Sequence, residues 1–156
     1  MAKSLVVSPA PHIRDDVNVE KVMYGVVLAL VPAGVGAVYF FGLRALMVIV
    51  VSTLAAVATE AACQKAIGRK ITALDGSAII TGILLAFNLP PGVPYWLPII
   101  GAVFAIGIGK IPFGGLGYNP LNPALVGRAF LMASWPVYMT AKWAAPSRGT
   151  MSGISG

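Results

Sequence analysis

Charged residues are scarce in this sequence. Asp, Glu, Lys and Arg make up 10% of its 156 residues, whereas hydrophobic residues make up 58% and the mean hydropathy is +0.85. Soluble domains carry roughly 25% charged residues. Except for Arg44, the charges lie in three stretches, 3–21, 60–75 and 110–148, which leave uncharged windows long enough to cross a bilayer. The composition therefore predicts a membrane protein.

Cysteine and histidine are almost absent, with only Cys63 and His12 present. A single cysteine cannot form an internal disulfide, and one histidine far from it supports neither a metal site nor a nucleophile–base pair. Long basic runs are also absent, because no more than two cationic residues are adjacent. The net charge of +6 therefore fits loop charges that set membrane topology better than a nucleic-acid interface.

Two long apolar segments predict the first two membrane spans, Val22–Phe41 and Ala45–Gln64. Each has about the 20 residues that a helix needs to cross the hydrocarbon core. Pro32 predicts a kink in the first span, and the small residues of the second predict close helix packing. Glu60 is expected to reach the interface, and a buried carboxylate in an ion path is the alternative.

The basic loop 65–70 is the densest positive segment, so the positive-inside rule places it in the cytoplasm. With two spans before it, the N-terminal segment 1–20 is also expected in the cytoplasm.

The uncharged stretch 76–109 is interrupted by a proline-rich segment, which leaves the pieces Ser77–Leu89 and Tyr95–Gly109. Both pieces are short for a full span, so they predict tilted or broken helices near a site at membrane depth. A last helix is predicted over Asn122–Met139. If both short pieces cross the membrane, the polar tail 140–156 lies on the outer face. If Ser77–Leu89 is re-entrant instead, the tail lies on the cytoplasmic face.

We therefore predict an all-α polytopic membrane protein with about five transmembrane or broken helices. Residues 1–156 are expected to form a single transmembrane domain, with the membrane region at 22–139.

The stretch GGLGYNPLNPALVGRAFL, residues 114–131, is unusually rich in glycine and amide groups for such an apolar chain. Its two prolines keep Asn119 and Asn122 out of helical conformation, so Asn122 is the expected N-cap of the last helix. Irregular backbone at membrane depth survives only where it is buried or lines a cavity. Asn side chains offer a planar donor and acceptor edge that suits a flavin or a similar heterocycle.

Asp75 and Gly76 open the helix that begins at Ser77, as a plain cap or as a ligand-facing helix start. Arg128 is costly in hydrocarbon and should be paired, snorkelled, or facing an anion. The candidate cofactor-binding residues are Asp75, Gly76, Gly117, Tyr118, Asn119, Asn122 and Arg128, with helix capping and packing as the alternative role. No catalytic residue and no metal ligand is predicted.

Three segments in this order, SPAPHIR (8–14), DGSAIITGILLAFNLPP (75–91) and GYNPLNPALVGRAFL (117–131), closely resemble the RnfD/NqrB family. The first segment resembles the Rnf branch, and specifically its RnfD members. The resemblance implies a urea-transporter-like fold in the complete protein and an electron-carrying subunit of a ferredoxin:NAD⁺ oxidoreductase that translocates Na⁺ or H⁺.

The resemblance also implies two flavins. One is an FMN joined covalently to a threonine in a Ser/Thr-Gly-Ala-Thr motif, and the other is a non-covalent flavin such as riboflavin near Asn119 and Asn122. Ser155-Gly156 is similar to the first half of that motif. The threonine is therefore expected just beyond Gly156, in a longer chain of which this sequence is the N-terminal half.

The implied partners are the iron–sulfur and flavin subunits of a complex in the bacterial cytoplasmic membrane. The alternative function is a solute channel or transporter, because Asn122-Pro123-Ala124 is an NPA triplet of the kind found in water channels.

Overall fold

The computed structural model describes residues 19–68, 75–115, 118–143 and 146. These residues form helices and connecting turns, with no strand among them, which confirms the predicted all-α polytopic fold. The helices are α1 (Val19–Phe41), α2 (Leu43–Ala66), α3 (Ser77–Phe87), α4 (Trp96–Gly107), α5 (Pro123–Ser134) and α6 (Pro136–Thr140), and a short 3₁₀ turn, Ile111–Phe113, follows α4.

Three helical stretches of the described residues are long and apolar enough to cross a membrane: α1, α2 and the combined stretch Trp96–Phe113. Helices α3 and α5 are apolar but have only 11 and 12 residues. At 1.5 Å per residue they extend about 16–18 Å, which is little more than half of the ~30 Å hydrocarbon core. The short helix predicted in Ser77–Leu89 is confirmed as α3, whereas the second piece, predicted to be short for a span, belongs to the stretch Trp96–Phe113, which is long enough to cross.

Helix α2 packs through one face made largely of small residues, as its sequence predicts. Its buried positions, Ala45, Val48, Ser52, Ala56, Glu60 and Gln64, recur every three or four residues. Helix α3 approaches so closely that a Cβ added at Gly82 would lie 2.5 Å from Thr53 Cα. The Ser52 hydroxyl donates a hydrogen bond to the Gly82 carbonyl at 2.9 Å across the same contact. Small side chains thus allow the backbones to pack directly.

Helices α4 and α5 make a second close contact of the same kind. A Cβ added at Gly127 would lie 2.6 Å from the Gly101 carbonyl oxygen, and one added at Gly109 would lie 3.1 Å from Pro123 Cα. The N-terminus of α5 therefore lies against the end of α4. At the opposite end of the bundle, the rings of Trp96 and Trp135 pack edge to face with centroids 5.2 Å apart.

Two further predictions about these helices are wrong. The predicted last helix, Asn122–Met139, is broken after Ser134, because Trp135 precedes Pro136 and takes up φ −135° and ψ 62°. A residue before proline is disfavoured in the α region. Glu60 does not reach the interface, since only 2% of the residue is exposed.

Helix α1 extends through Pro32 as one helix and contains no buried residue. It begins three residues before the predicted Val22. The other helices end within a few residues of their predicted limits.

Candidate functional site

A buried ion pair joins the end of α2 to the segment after α4. The Lys110 ammonium lies 2.8 and 2.7 Å from the two carboxylate oxygens of Glu60. It also donates a hydrogen bond to the Ser77 hydroxyl at 2.6 Å. Lys110 and Glu60 are each only 2% exposed. All three donors of the ammonium are therefore used inside the protein.

The burial of Glu60 follows from its position on the packed face of α2, one turn before Gln64. The Gln64 side-chain amide donates to Glu60 Oε1 at 3.1 Å. Charged groups at membrane depth are costly and pair with one another. Removing one member of such a pair leaves an uncompensated charge, so the two residues depend on each other.

Ser77 connects this ion pair to the start of α3. Its hydroxyl donates to Asp75 Oδ1 at 2.6 Å, and its backbone N–H donates to the same oxygen at 2.9 Å. The N-cap position of α3 is Gly76, which has no side chain to cap with, and Asp75, one residue earlier, accepts from the first backbone N–H of the helix. Gly76 takes up the left-handed φ of 89°, and a Cβ there would lie 2.9 Å from Met23 Cβ. A ligand role for Asp75 or Gly76 stays a prediction.

A cavity of about 130 Å³ lies at the start of α3 and α5, and Lys110 is one of its lining residues. It combines several polar groups with an apolar floor, and its lining residues are Met23, Ser77, Ile80, Thr81, Leu84, Lys110, Asn119, Asn122 and Pro123. The structure therefore brings both predicted asparagines to one cavity.

The two asparagines use their side chains differently. Asn122 Oδ1 accepts a hydrogen bond from the Ala124 backbone N–H at 3.0 Å, which confirms Asn122 as the N-cap of α5. Asn119 Oδ1 is buried and has no hydrogen-bond partner among the described residues. A buried carbonyl oxygen without a donor is unfavourable, and this sets Asn119 apart from Asn122, whose oxygen is used in the cap.

The other candidate residues lie elsewhere or outside the described residues. The Arg128 guanidinium donates to Asn88 Oδ1 at 2.8 Å, and the Asn88 amide in turn donates to the Leu84 carbonyl at 2.8 Å. Arg128 is not among the residues that line the cavity. Tyr118 is 78% exposed, and Gly117 is outside the described residues. A cofactor role for these three residues stays a prediction.

Sequence reasoning does not identify Lys110 and Ser77 as residues of the site. Lys110 ends a long uncharged stretch, where a lysine is ordinarily a loop charge. The sequence does contain one signal that could have predicted the pair. Glu60 and Lys110 are each isolated beside an apolar segment, and isolated charges of opposite sign tend to pair in a membrane.

The family model described as NQR2, RnfD, RnfE matches residues 6–155. This chain belongs to the NQR2, RnfD, RnfE family.

Relatives within the NQR2, RnfD, RnfE family align with almost the whole chain. The D component of the Na⁺-translocating ferredoxin:NAD⁺ oxidoreductase complex of Acetobacterium woodii is 48% identical over 149 residues, which cover 96% of this chain and 47% of that relative. The D component of the proton-translocating ferredoxin:NAD⁺ oxidoreductase complex of Clostridium ljungdahlii is 46% identical, covering 96% and 45%. The D component of the ion-translocating oxidoreductase complex of Methanosarcina acetivorans is 43% identical, covering 85% and 46%. The chain spans about half the length of these relatives.

Proposed function

We propose that this chain acts within the RnfD subunit of an Rnf-type ferredoxin:NAD⁺ oxidoreductase complex, where it holds flavin and couples electron transfer to Na⁺ or H⁺ translocation. The observation that carries the proposal is the 43–48% identity to three relatives named as the D component of ion-translocating oxidoreductase complexes. One of these relatives is named as Na⁺-translocating and another as proton-translocating, and the two are nearly equally identical to this chain, at 48% and 46%. Overall similarity therefore does not select the coupling ion.

The proposed partners are the iron–sulfur and flavin subunits of the same complex. The proposed location is the bacterial cytoplasmic membrane, with the N-terminus in the cytoplasm. Helices long and apolar enough to cross a bilayer support a multi-pass arrangement. The distribution of basic residues, densest in the segment 65–70, supports the orientation.

The cavity beside Lys110 is the proposed site of a non-covalent flavin such as riboflavin. The Asn119 oxygen, which has no partner among the described residues, suits the ring N–H of a flavin. The Ser77 and Thr81 hydroxyls donate their protons to Asp75 and to the Ser77 carbonyl, so towards a ring they can only accept. The volume of about 130 Å³ is below the ~300–1,000 Å³ of typical small-molecule pockets. In this proposal, one edge of the ring system enters the cavity and the rest of the flavin lies outside it.

In this proposal, flavin supplies the electron-carrying chemistry and the protein supplies position and electrostatics. Asn119 orients the ring edge through its side-chain oxygen, and Asn122 fixes the helix start that forms the wall of the cavity. Apolar neighbours such as Ile80 and Leu84 limit access of water, which strengthens polar interactions with the ring. The covalent FMN is proposed for a threonine beyond Gly156 and not for any residue of this chain.

The experiment compares Asn119→Ala, Asn122→Ser and Asn122→Ala in the intact complex purified from membranes. Acid precipitation releases non-covalent flavin, which is quantified in the supernatant, while covalent FMN stays with the protein. Because serine can replace asparagine as an N-cap, Asn122→Ser preserves the helix start but removes the amide.

We expect Asn119→Ala to lower non-covalent flavin several-fold, with complex assembly and covalent FMN retained. Asn122→Ser reveals whether the second amide contributes to binding or only caps the helix. An assembled wild-type complex without non-covalent flavin, or undiminished flavin in Asn119→Ala, would refute the site. A correctly assembled complex with no flavin at all would favour the channel alternative.

A further inference from the structure

We propose that the buried Lys110–Glu60 pair sets the reduction potential of the electron carrier in the adjacent cavity. Lys110 supplies positive charge at the cavity wall, and the Glu60 carboxylate, which does not line the cavity, partly neutralises that charge. The inference rests on the proposed function, since it requires a redox-active ring bound beside Asn119.

The positions of the two charges relative to the cavity carry this inference. Lys110 lines the cavity, whereas Glu60 is not among its lining residues. The Glu60 carboxylate contacts the ammonium through both oxygens at 2.7–2.8 Å. In this proposal a molecule in the cavity lies nearer to Lys110 than to Glu60, because Lys110 is a lining residue and Glu60 is not. Because both residues are 2% exposed, water and salt screen this field only weakly.

The remaining charged group of the cluster is Asp75, which contacts the ion pair only through Ser77. Asp75 is partly exposed, so solvent screens its charge more strongly than that of Glu60. The proposal therefore assigns the field at the cavity mainly to the difference between Lys110 and Glu60, with Asp75 as a weaker, partly screened negative charge. A positive field favours whichever redox form of the ring carries more negative charge.

Two substitutions separate this role from simple structural pairing, because they move the charge in opposite directions. Glu60→Gln retains shape and hydrogen bonding but leaves the Lys110 charge without its offset. The double variant Glu60→Gln with Lys110→Met removes both charges and replaces lysine with an apolar side chain of similar length. A neutral replacement of a buried pair is tolerated far better than the loss of one partner.

The measurement is a spectroelectrochemical titration of the intact complex at fixed pH. The relevant flavin component is the one that disappears in Asn119→Ala. At a given potential, we expect Glu60→Gln to raise the ratio of reduced to oxidised ring at least about tenfold, which is the effect of a unit charge about 12 Å away at an effective dielectric constant of about 20. For a two-electron couple, tenfold corresponds to an upward shift of about 30 mV. The double variant is expected to shift the potential downward from wild type.

Opposite shifts in the two variants support the inference. If the component is present in wild type and lost in Asn119→Ala, yet its potential is unchanged in the double variant, the inference is wrong and the flavin site stands. Shifts of the same sign in both variants also overturn it, because a general disturbance of packing would produce them. If Asn119→Ala removes no flavin component, both the site and this inference fail. Should Glu60→Gln not assemble, the downward shift in the neutral double variant still decides the question.

Discussion

Replacing Lys110 with methionine is expected to destabilise the fold severely. In wild type, the Glu60 carboxylate accepts two contacts from the ammonium, at 2.7 and 2.8 Å, and one from the Gln64 amide at 3.1 Å. After the substitution, only the contact from Gln64 remains of these three. The carboxylate that it must satisfy belongs to a side chain that is only 2% exposed. Loss of one partner from a buried pair costs about 3–5 kcal/mol of unfolding free energy.

A double-mutant cycle isolates the pair from its surroundings. It consists of wild type, Lys110→Met, Glu60→Gln and the double variant, each unfolded in detergent micelles while helical content is followed by circular dichroism. We expect the double variant to lie within about 1 kcal/mol of wild type, because a neutral apolar pair avoids the desolvation cost. The resulting coupling energy should therefore exceed about 2 kcal/mol, which is large for residues in contact.

Two results would refute this reasoning. A Lys110→Met protein within about 1 kcal/mol of wild type would show that water or another group compensates Glu60, contrary to the burial observed. A double variant as unstable as the sum of the single variants would show that the two residues contribute independently.

The other predictions concern helix contacts and can be measured by the same unfolding assay. Gly82→Ala should destabilise by about 1–3 kcal/mol because its Cβ would overlap the backbone of α2 at Thr53, whereas Gly36→Ala, with no atom within 4 Å of its Cβ, should be neutral or slightly stabilising. Equal effects of the two substitutions would contradict direct backbone packing. Arg128→Met should cost about 1–3 kcal/mol by leaving the Asn88 oxygen without its donor, and a neutral result would show that this bond does not hold α5 to α3.

The sequence alone predicts the helices well because membrane burial imposes length and polarity on every element. The first two spans, the short pieces around the proline-rich segment and the Asn122 cap all follow from local rules. The break at Trp135 also follows from a local rule, because Pro136 disfavours helical conformation at the residue before it. The apolar sequence on both sides of Trp135 nevertheless suggests one continuous helix.

The site is less predictable, because its central contact joins residues far apart in the chain. Glu60 and Lys110 are 50 positions apart, and nothing in the local sequence of either shows that their helices end side by side. The asparagines can be identified because the Asn-Pro pattern is local and chemically unusual. Lys110 resembles any lysine that ends an apolar segment, so its burial emerges only once α2 and α4 are packed together.

The lack of buried residues in α1 has a consequence for how the protein assembles. Membrane helices insert as individually stable units and associate afterwards within the lipid. The interlocked small-residue contacts lie among α2, α3, α4 and α5, so these helices can reach their mutual arrangement before α1 docks. Native-state hydrogen exchange should then show α1 separating from the bundle at a lower free energy than the opening of α2, as expected if α1 is the last of the described helices to join the bundle.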